Sequence, residues 1–457
     1  MSEAARPATY RAVFGVAEFR ALWLTAVLSR AGTQIARVAL AVLAYQRTGS
    51  PAVTALVYAL TLLPAIVGGS VLGGLADRYP RRTLLAVCAL SRAVLVALIA
   101  VPGIPLTVLC ALVFLVQLID SPARTAQMAM TPDILTGEAY SLGVAALTLT
   151  NQLIALVAFA AGGVLVAAVG PGGSLLVNAA AFALMAPVAR WGLRHRPAAR
   201  PGRPGGRRRP RAPEGGARRI LASPPLRSLL ALALLAGVHV VPESLAAPYA
   251  AELGLGSREV GLLMASVPLG TVAGVFLFTR FVPLPARLAS LGPLAVAAGL
   301  PLVLSALLPG LVPALALWAL SGLLSAYQVT ANTEFTRLAP PERRGRLLGL
   351  AGSALTGAQG VGMILSGVLA DHLGVSRTLA VAGAGAASPA CSPRRAGGGP
   401  AVPRRFTPRL RAGPRPPGET AVRPAARERP ATRRRPAGRR GARGGPEEAG
   451  TTGQGRV

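Results

Sequence analysis

The feature that most constrains this fold is a series of long apolar runs separated by short breaks rich in Gly, Pro and Arg. A helix needs about 20 apolar residues to cross the hydrocarbon core of a bilayer. Eleven runs approach that length, at 21–45, 52–76, 83–101, 104–121, 141–169, 172–190, 228–250, 258–279, 287–308, 311–333 and 347–371. The chain is only 14% charged, whereas soluble domains carry about 25% charged residues. The runs therefore predict an all-α polytopic membrane protein.

The runs divide into two groups around a polar connector. This connector contains "RPGRPGGRRRPRAPEGGARR", which is too polar and too rich in Pro and Gly to pack as a helix. We expect a short leading segment, a six-helix bundle, a basic linker, a second helix bundle and a disordered tail. Their predicted bounds are 1–20, 21–190, 191–227, 228–387 and 388–457.

The second group of runs ends irregularly. A twelfth span should begin at Leu379, but only 379–387 is apolar before Ser388 and Pro389. A complete span needs about 20 residues, so we expect the twelfth helix to be truncated or incomplete. The tail that follows is rich in Arg, Pro and Gly, and this abrupt change is typical of translation in a shifted reading frame. One alternative is therefore a nonfunctional product of such a shift.

Arginine is concentrated in the even-numbered loops between the runs and in the linker. Cytoplasmic loops of membrane proteins carry an excess of basic residues. The pattern predicts a multi-pass protein of the plasma membrane whose N-terminus, linker and even loops are cytoplasmic.

The most specific motif is "GGLADRYPRR" at the end of the second run. It resembles the loop between the second and third helices of the major facilitator superfamily. The resemblance extends over about 18–387, and it is strongest to drug- and siderophore-exporter-like actinobacterial members. It implies two six-helix bundles, alternating access to a central cavity, and a cytoplasmic gate. The gate residues that it implies are Gly73, Asp77, Arg78, Arg81 and Arg82.

Two departures limit what the resemblance implies about coupling. The predicted fourth helix has no mid-membrane Arg of the kind found in proton-coupled drug antiporters, and the fifth lacks their Gly-Pro signature. Pro80 also replaces the usual glycine of the loop motif. Proton antiport is therefore an expectation from the family.

Polar residues inside a membrane span are costly, so each one is a functional hypothesis. Arg30, Gln34 and Arg37 are spaced to share one face of the first helix. They either line the central cavity, where two arginines favour an anionic or zwitterionic cargo, or pair internally. Glu243, directly after Pro242 in the seventh helix, is either a proton-coupling residue or part of an external gate or structural pair.

The tenth helix supplies the remaining candidates. Gln328 and Asn332 are four residues apart and are expected to face the cavity. Glu334 lies nearer the cytoplasmic end, where a gate pair with Arg343 or Arg337 is expected. Asp120 and Arg124, which follow the predicted fourth helix, are expected to anchor a cytoplasmic loop.

These observations predict a transporter and not an enzyme. The sequence contains no GxxxxGK[ST] phosphate-binding loop, and its three cysteines have no metal-binding spacing. We expect ion-gradient (proton) coupled efflux of small organic molecules by a monomer in the lipid bilayer, without cofactor or metal. A further alternative is that the basic tail binds nucleic acid or anionic lipid, without specificity.

Overall fold

The computed structural model describes residues 9–72, 75–196, 220, 222–340 and 344–387, all within one compact unit, Met1–Pro400. None of these residues forms a strand, and nearly all are helical. The predicted tail, most of the predicted linker and the leading segment up to Ala8 lie outside the described residues.

Six membrane helices form the first half of the described chain, and we number them in chain order. A short helix, Tyr10–Gly15, precedes them. The first is Ala17–Thr48, the second combines Pro51–Ala59, Pro64–Val71 and Leu75–Arg78, the third is Arg81–Ile99, the fourth is Leu106–Ile134, and the fifth and sixth are Gly137–Gly192. The order and number of these helices agree with the runs in the sequence.

A single glycine separates the fifth helix from the sixth. Gly170 has φ 73° and ψ 171°, whereas its neighbours in Gly137–Gly192 are helical. This backbone conformation favours glycine because it has no Cβ atom, and Pro171 then restarts the helix. The break lies where the sequence predicted it, between 169 and 172.

The second half contains six further helices, several of them interrupted. The seventh helix consists of Pro224–Leu234, Ala236–His239 and Val241–Glu252, and the eighth is Ser257–Phe281. The ninth follows a short helix, Leu284–Ala289, and consists of Leu291–Ala297 and Leu300–Leu307. The tenth consists of Leu311–Leu324 and Tyr327–Leu338, the eleventh is Arg344–Leu373, and the twelfth is Val375–Ala387. The twelfth begins four residues before the predicted Leu379.

The lengths of these helices account for a two-bundle membrane fold. Nine described segments are long and apolar enough to cross a membrane, and one of them, Gly137–Gly192, contains two helices. The ninth helix, Leu291–Leu307, is shorter, and the twelfth has 13 described residues. The protein is therefore an all-α polytopic membrane protein with two bundles of helices, and the described part of its twelfth helix ends at Ala387.

The helices run alternately between two ends of the molecule. We call the end that carries Arg81 and Arg196 the linker face, and the end that carries Arg47 and Asp371 the opposite face. One buried apolar cluster includes residues of both halves near the opposite face, among them Val38, Val57 and Leu245. Nearer the linker face, the buried clusters of the described residues divide by half. The halves are therefore packed together at the opposite face.

Two contacts join the halves at this closed end. In the fifth and eighth helices, a Cβ atom added to Gly163 would lie 2.7 Å from Gly261 Cα, so only glycine permits the two backbones to approach this closely. In the eleventh helix, the Asp371 carboxylate accepts hydrogen bonds from Ser50 Oγ at 2.9 Å and from the backbone N–H of Ala52 at 3.2 Å. Asp371 thus caps the second helix of the other half.

Candidate functional site

A hydrogen bond between the two halves lies inside the membrane-spanning part of the molecule. The Tyr58 hydroxyl, on the second helix, donates to Glu243 Oε2, on the seventh helix, at 2.9 Å. Arg37 of the first helix places its Cζ atom 5.7 Å from the centre of the Tyr58 ring. We call Arg37, Tyr58 and Glu243 the bridging cluster, because the first two belong to one half and the third to the other.

The local sequence places Glu243 at a helix start. The seventh helix is interrupted at Val240, and its last piece begins at Val241 with Pro242 and Glu243 in the first turn. Proline fits the first turn because its missing N–H has no helical partner there. An acidic side chain in that turn is favoured by the exposed N–H groups of the helix end. The interruption therefore positions the carboxylate toward Tyr58.

A second polar group lies entirely within the first half. Arg92 Nη1, on the third helix, is 2.7 Å from Asp120 Oδ1, on the fourth helix, and both side chains are at most 5% exposed. Arg124, one turn after Asp120, pairs with the other carboxylate oxygen through its Nε atom. The fourth helix has 29 residues, and Asp120 lies at its centre. Arg92 and Asp120 therefore form a buried ion pair at the centre of this helix.

Residues on neighbouring helices hold Arg92 in place. It donates to Ser29 Oγ at 3.0 Å and to Thr33 Oγ1 at 3.2 Å, both on the first helix. Its guanidinium also lies 3.9 Å from the centre of the Phe182 ring on the sixth helix, which is cation–π distance. Arg92 is thus fixed by contacts with three other helices of its bundle, the first, fourth and sixth.

Arg30 completes this group. Its Nε atom is 3.5 Å from Asn151 Oδ1 on the fifth helix, and the charges of Arg124, Arg37, Asp120 and Arg92 all act on it. We call Arg30, Arg92, Asp120 and Arg124 the arginine cluster. It contains three cationic side chains and one carboxylate.

The structure does not gather the predicted polar stripe of the first helix into one site. Arg30 belongs to the arginine cluster and Arg37 to the bridging cluster. Gln34 lies between them, 5% exposed. Gln34 Oε1 and Arg37 Nε have no hydrogen-bond partner among the described residues.

The predicted end of the fourth helix is wrong. The helix continues to Ile134 through two prolines, Pro122 and Pro132, so Asp120 and Arg124 lie within a span and not in a loop. Arg124 lies in the second half of this helix, and the expectation that the helix has no mid-membrane arginine stays a prediction. Asp120 and Arg124 lower the hydropathy of this part of the helix below that of a membrane span. The helix nevertheless continues, because Asp120 pairs with both Arg92 and Arg124.

The sequence reasoning also missed Arg92. This residue is an isolated cation in the apolar run "LLAVCALSRAVLVALIA". The rule applied to Arg30, that a charge inside a span is costly, would have identified it.

The tenth helix contributes to a cavity near the linker face of the second half. A volume of about 440 Å³ lies between the seventh, tenth and eleventh helices. Gln328 and Asn332 line it together with apolar residues such as Leu230 and Leu355. Gln328 is half-buried and Asn332 is exposed.

The predicted gate residues are only partly within the described structure. Gly73 and Arg343 lie outside the described residues, and Asp77 is placed only as part of the short helix Leu75–Arg78. Arg78 is exposed. The pairing of Glu334 with Arg343 therefore stays a prediction, while Glu334 contacts Arg337 one turn away at 3.1 Å.

Ion pairs at the linker face hold the first half together. Arg81 pairs with Asp133, and Arg196 pairs with Glu18. Arg196 also donates to the Asp133 carbonyl at 3.3 Å. The hydrogen bond with Glu18 raises the pKa of Arg196 above its usual value. Arg82 donates to the Leu193 carbonyl at 3.4 Å.

Among the described residues, no three His, Cys, Asp or Glu side chains lie close enough to hold a metal ion.

Two packed bundles of membrane helices, with charges buried within and between them, define a transporter of the two-bundle class. The family model of the Major Facilitator Superfamily matches residues 22–314 and 244–388. The chain belongs to the Major Facilitator Superfamily, and its activity is transmembrane transport.

Solved structures show the same fold. A bacterial homologue of the human lysosomal transporter Spinster, inward-facing and occupied, has a TM-score of 0.62 at 16% identity, over 81% of this chain and 91% of that chain. The nucleoside transporter NupG has a TM-score of 0.61 at 12% identity, over 80% and 96%. A bacterial homologue of the iron transporter ferroportin, inward-facing, has a TM-score of 0.55 at 17% identity, over 81% and 97%. No curated protein matches the sequence.

Proposed function

We propose that this protein exports small organic molecules across the plasma membrane by alternating access, with a proton gradient as the energy source. Its N-terminus and linker face are cytoplasmic in this proposal, supported by the arginines of that face and the positive-inside rule. The two bundles rock about a central site, which opens alternately to each side.

The hydrogen bond from Tyr58 to Glu243 is the observation that carries the coupling proposal. It joins the bundles while they are packed at the opposite face. When the bundles separate there, Glu243 loses Tyr58 and Arg37 together. A carboxylate without partners inside a membrane is costly unless it takes up a proton. Glu243 therefore takes up a proton from outside and releases it once the cluster forms again.

The charged and titratable groups that face Glu243 are few. Tyr58 and Arg37 act on it from the other half. His239 lies one turn earlier on the same helix, buried, with its Nδ1 atom 3.1 Å from the Leu235 carbonyl. An experiment must therefore distinguish proton transfer by Glu243 from proton transfer by His239.

The test uses the full chain in proteoliposomes with an imposed pH gradient. A panel of labelled small organic acids, bases and neutral compounds first identifies a transported compound. Glu243→Gln should abolish accumulation driven by the gradient but leave exchange of the labelled compound across the membrane, because the amide carries no proton. The matched control is His239→Gln, which should keep gradient-driven accumulation.

Two results contradict the proposal. Gradient-driven accumulation that is unchanged in Glu243→Gln excludes the coupling role. Accumulation of every compound at the level of protein-free liposomes excludes export itself.

A further inference from the structure

The arginine cluster carries more positive than negative charge. Arg92 and Arg124 both pair with one carboxylate, Asp120, and the charges of these three groups act on Arg30. Unpaired charges inside a membrane are costly, and they occur where a substrate or ion completes the balance. Among the side chains that the structure describes, this imbalance therefore points to a missing anion.

The three arginines differ in how far they are engaged. Arg92 is 1% exposed and is occupied by Asp120, Ser29 and Thr33. Arg124 uses its Nε atom for Asp120, and its side chain remains 41% exposed. Arg30 has one contact among the described residues, the 3.5 Å approach to Asn151. Arg92 Nε is also without a hydrogen-bond partner among the described residues, but it is buried, so the accessible donors of the cluster belong to Arg30 and Arg124.

The exposed part of the cluster belongs to Arg124. Arg124 is partly exposed although it lies well inside the fourth helix, Leu106–Ile134. A guanidinium in contact with lipid at that depth is disfavoured, and its partner Asp120 points to the bundle interior. The halves are packed together at the opposite face, so a ligand would reach Arg124 from the linker face.

We propose that the transported molecule is an organic anion whose carboxylate or phosphate group binds between Arg30 and Arg124. This inference rests on the proposed function as a transporter and adds the chemical class of its substrate. Guanidinium groups bind both kinds of oxyanion through paired hydrogen bonds. Arg92 acts as a positioning residue, because it holds the Asp120 carboxylate that orients Arg124.

In this assignment the substrate and the proton bind at different sites. The arginine cluster lies within the first half, while Glu243 belongs to the second. An anion at Arg30 and Arg124 consequently does not need to displace Tyr58 from Glu243. Substrate binding and proton binding are then expected to be separable by mutation.

The test measures binding by the full chain in detergent, so it does not depend on transport. Isothermal titration calorimetry compares four probes with the same ring: benzoate, phenyl phosphate, neutral benzamide and cationic benzylamine. Benzoate and phenyl phosphate should bind at least about tenfold tighter than the other two. Arg30→Gln and Arg124→Gln should each weaken anion binding by about 10- to 100-fold, the range for a hydrogen bond to a charged group.

A matched variant controls for the removal of positive charge. Arg47 is on the same helix as Arg30, but it donates to the Ile104 carbonyl at the opposite face. Arg47→Gln should leave benzoate binding unchanged. Arg30→Lys, which keeps the charge but loses the paired donors, should give intermediate affinity, and this gradation distinguishes a direct contact from a folding defect.

Three results overturn the inference. The first is benzoate and phenyl phosphate binding no tighter than benzamide. The second is equal loss of binding in Arg47→Gln and Arg30→Gln. The third is displacement of benzoate by phosphatidylglycerol at concentrations far below those of phenyl phosphate, which assigns the arginines to a lipid headgroup.

The outcome also remains distinct from that of the proposed function. If benzoate binding depends on the arginines but no compound accumulates in proteoliposomes, the proposed export is contradicted and the anion site is supported. Gradient-driven accumulation of benzylamine in preference to benzoate removes the anion inference and leaves transport.

Discussion

The arginine cluster and the bridging cluster are both built from charged side chains inside the membrane, but they are joined to the fold differently. All members of the arginine cluster come from the first, third and fourth helices of one bundle. The bridging cluster needs the first and second helices of one half and the seventh of the other. Rocking of rigid bundles preserves the first set of contacts and breaks the second. Burial alone therefore does not distinguish a structural charge from a charge that changes partners.

The largest expected effect is on stability, from Asp120→Asn. This change leaves Arg92, 1% exposed, without its counterion, and breaking a buried pair costs about 3–5 kcal/mol. We expect a large fall in the thermal unfolding midpoint of the detergent-solubilised protein. Glu243→Gln should lower that midpoint much less, because its contact lies between bundles. An equal fall in the unfolding midpoint of the two variants would show that the two clusters contribute equally to stability, against this expectation.

A smaller effect, on conformation instead of stability, is expected from Tyr58→Phe. The change removes the hydroxyl that donates to Glu243 at 2.9 Å, and a hydrogen bond to a charged group contributes about 1.5–3 kcal/mol. The population open at the opposite face should rise at least about tenfold. Distances between spin labels on the second and eleventh helices measure this population. A distance distribution identical to that of the unmodified chain would show that the bridging cluster does not hold the halves together.

The smallest effect is expected from Asp371→Asn at the opposite face. Asp371 also joins the halves, through Ser50 and Ala52, but it is exposed to solvent. Loss of such a cap costs about 0.5–2 kcal/mol, so the same spin-label distances should shift in the same direction as in Tyr58→Phe, but less. Glu334→Gln serves as the control, because its pair with Arg337 lies within one helix. A larger shift from Asp371→Asn than from Tyr58→Phe would place the main closure at the surface and not in the membrane.

The helices could be predicted from sequence because each one satisfies a local requirement. Apolar length defined the spans, and Gly170 with Pro171 defined the turn between the fifth and sixth helices. The fourth helix was the exception, since Asp120 and Arg124 resemble loop residues until Arg92, the partner of Asp120, is known. That partner lies on another helix, and hydropathy along one chain segment contains no information about it.

The candidate site was predictable only in its residue types. Glu243 was recognised as costly in a membrane, but its partner Tyr58 is 185 positions away in the chain. Arg30 and Arg37 were expected to act together because they share a helix face. They belong to different clusters because the helices packed against the two ends of that face are different. Side-chain partners are a property of the packed bundle.

The contact between Gly163 and Gly261 divides the fifth helix into a short arm and a long arm. From Gly163 the fifth helix extends about 10 Å to Gly170 at one end and about 39 Å to Gly137 at the other. A bundle that turns about this contact behaves as an unequal lever. Each ångström of movement at the opposite face then becomes about four at the linker face. Opening of a narrow gap at the opposite face is then accompanied by a closing movement about four times larger at the linker face.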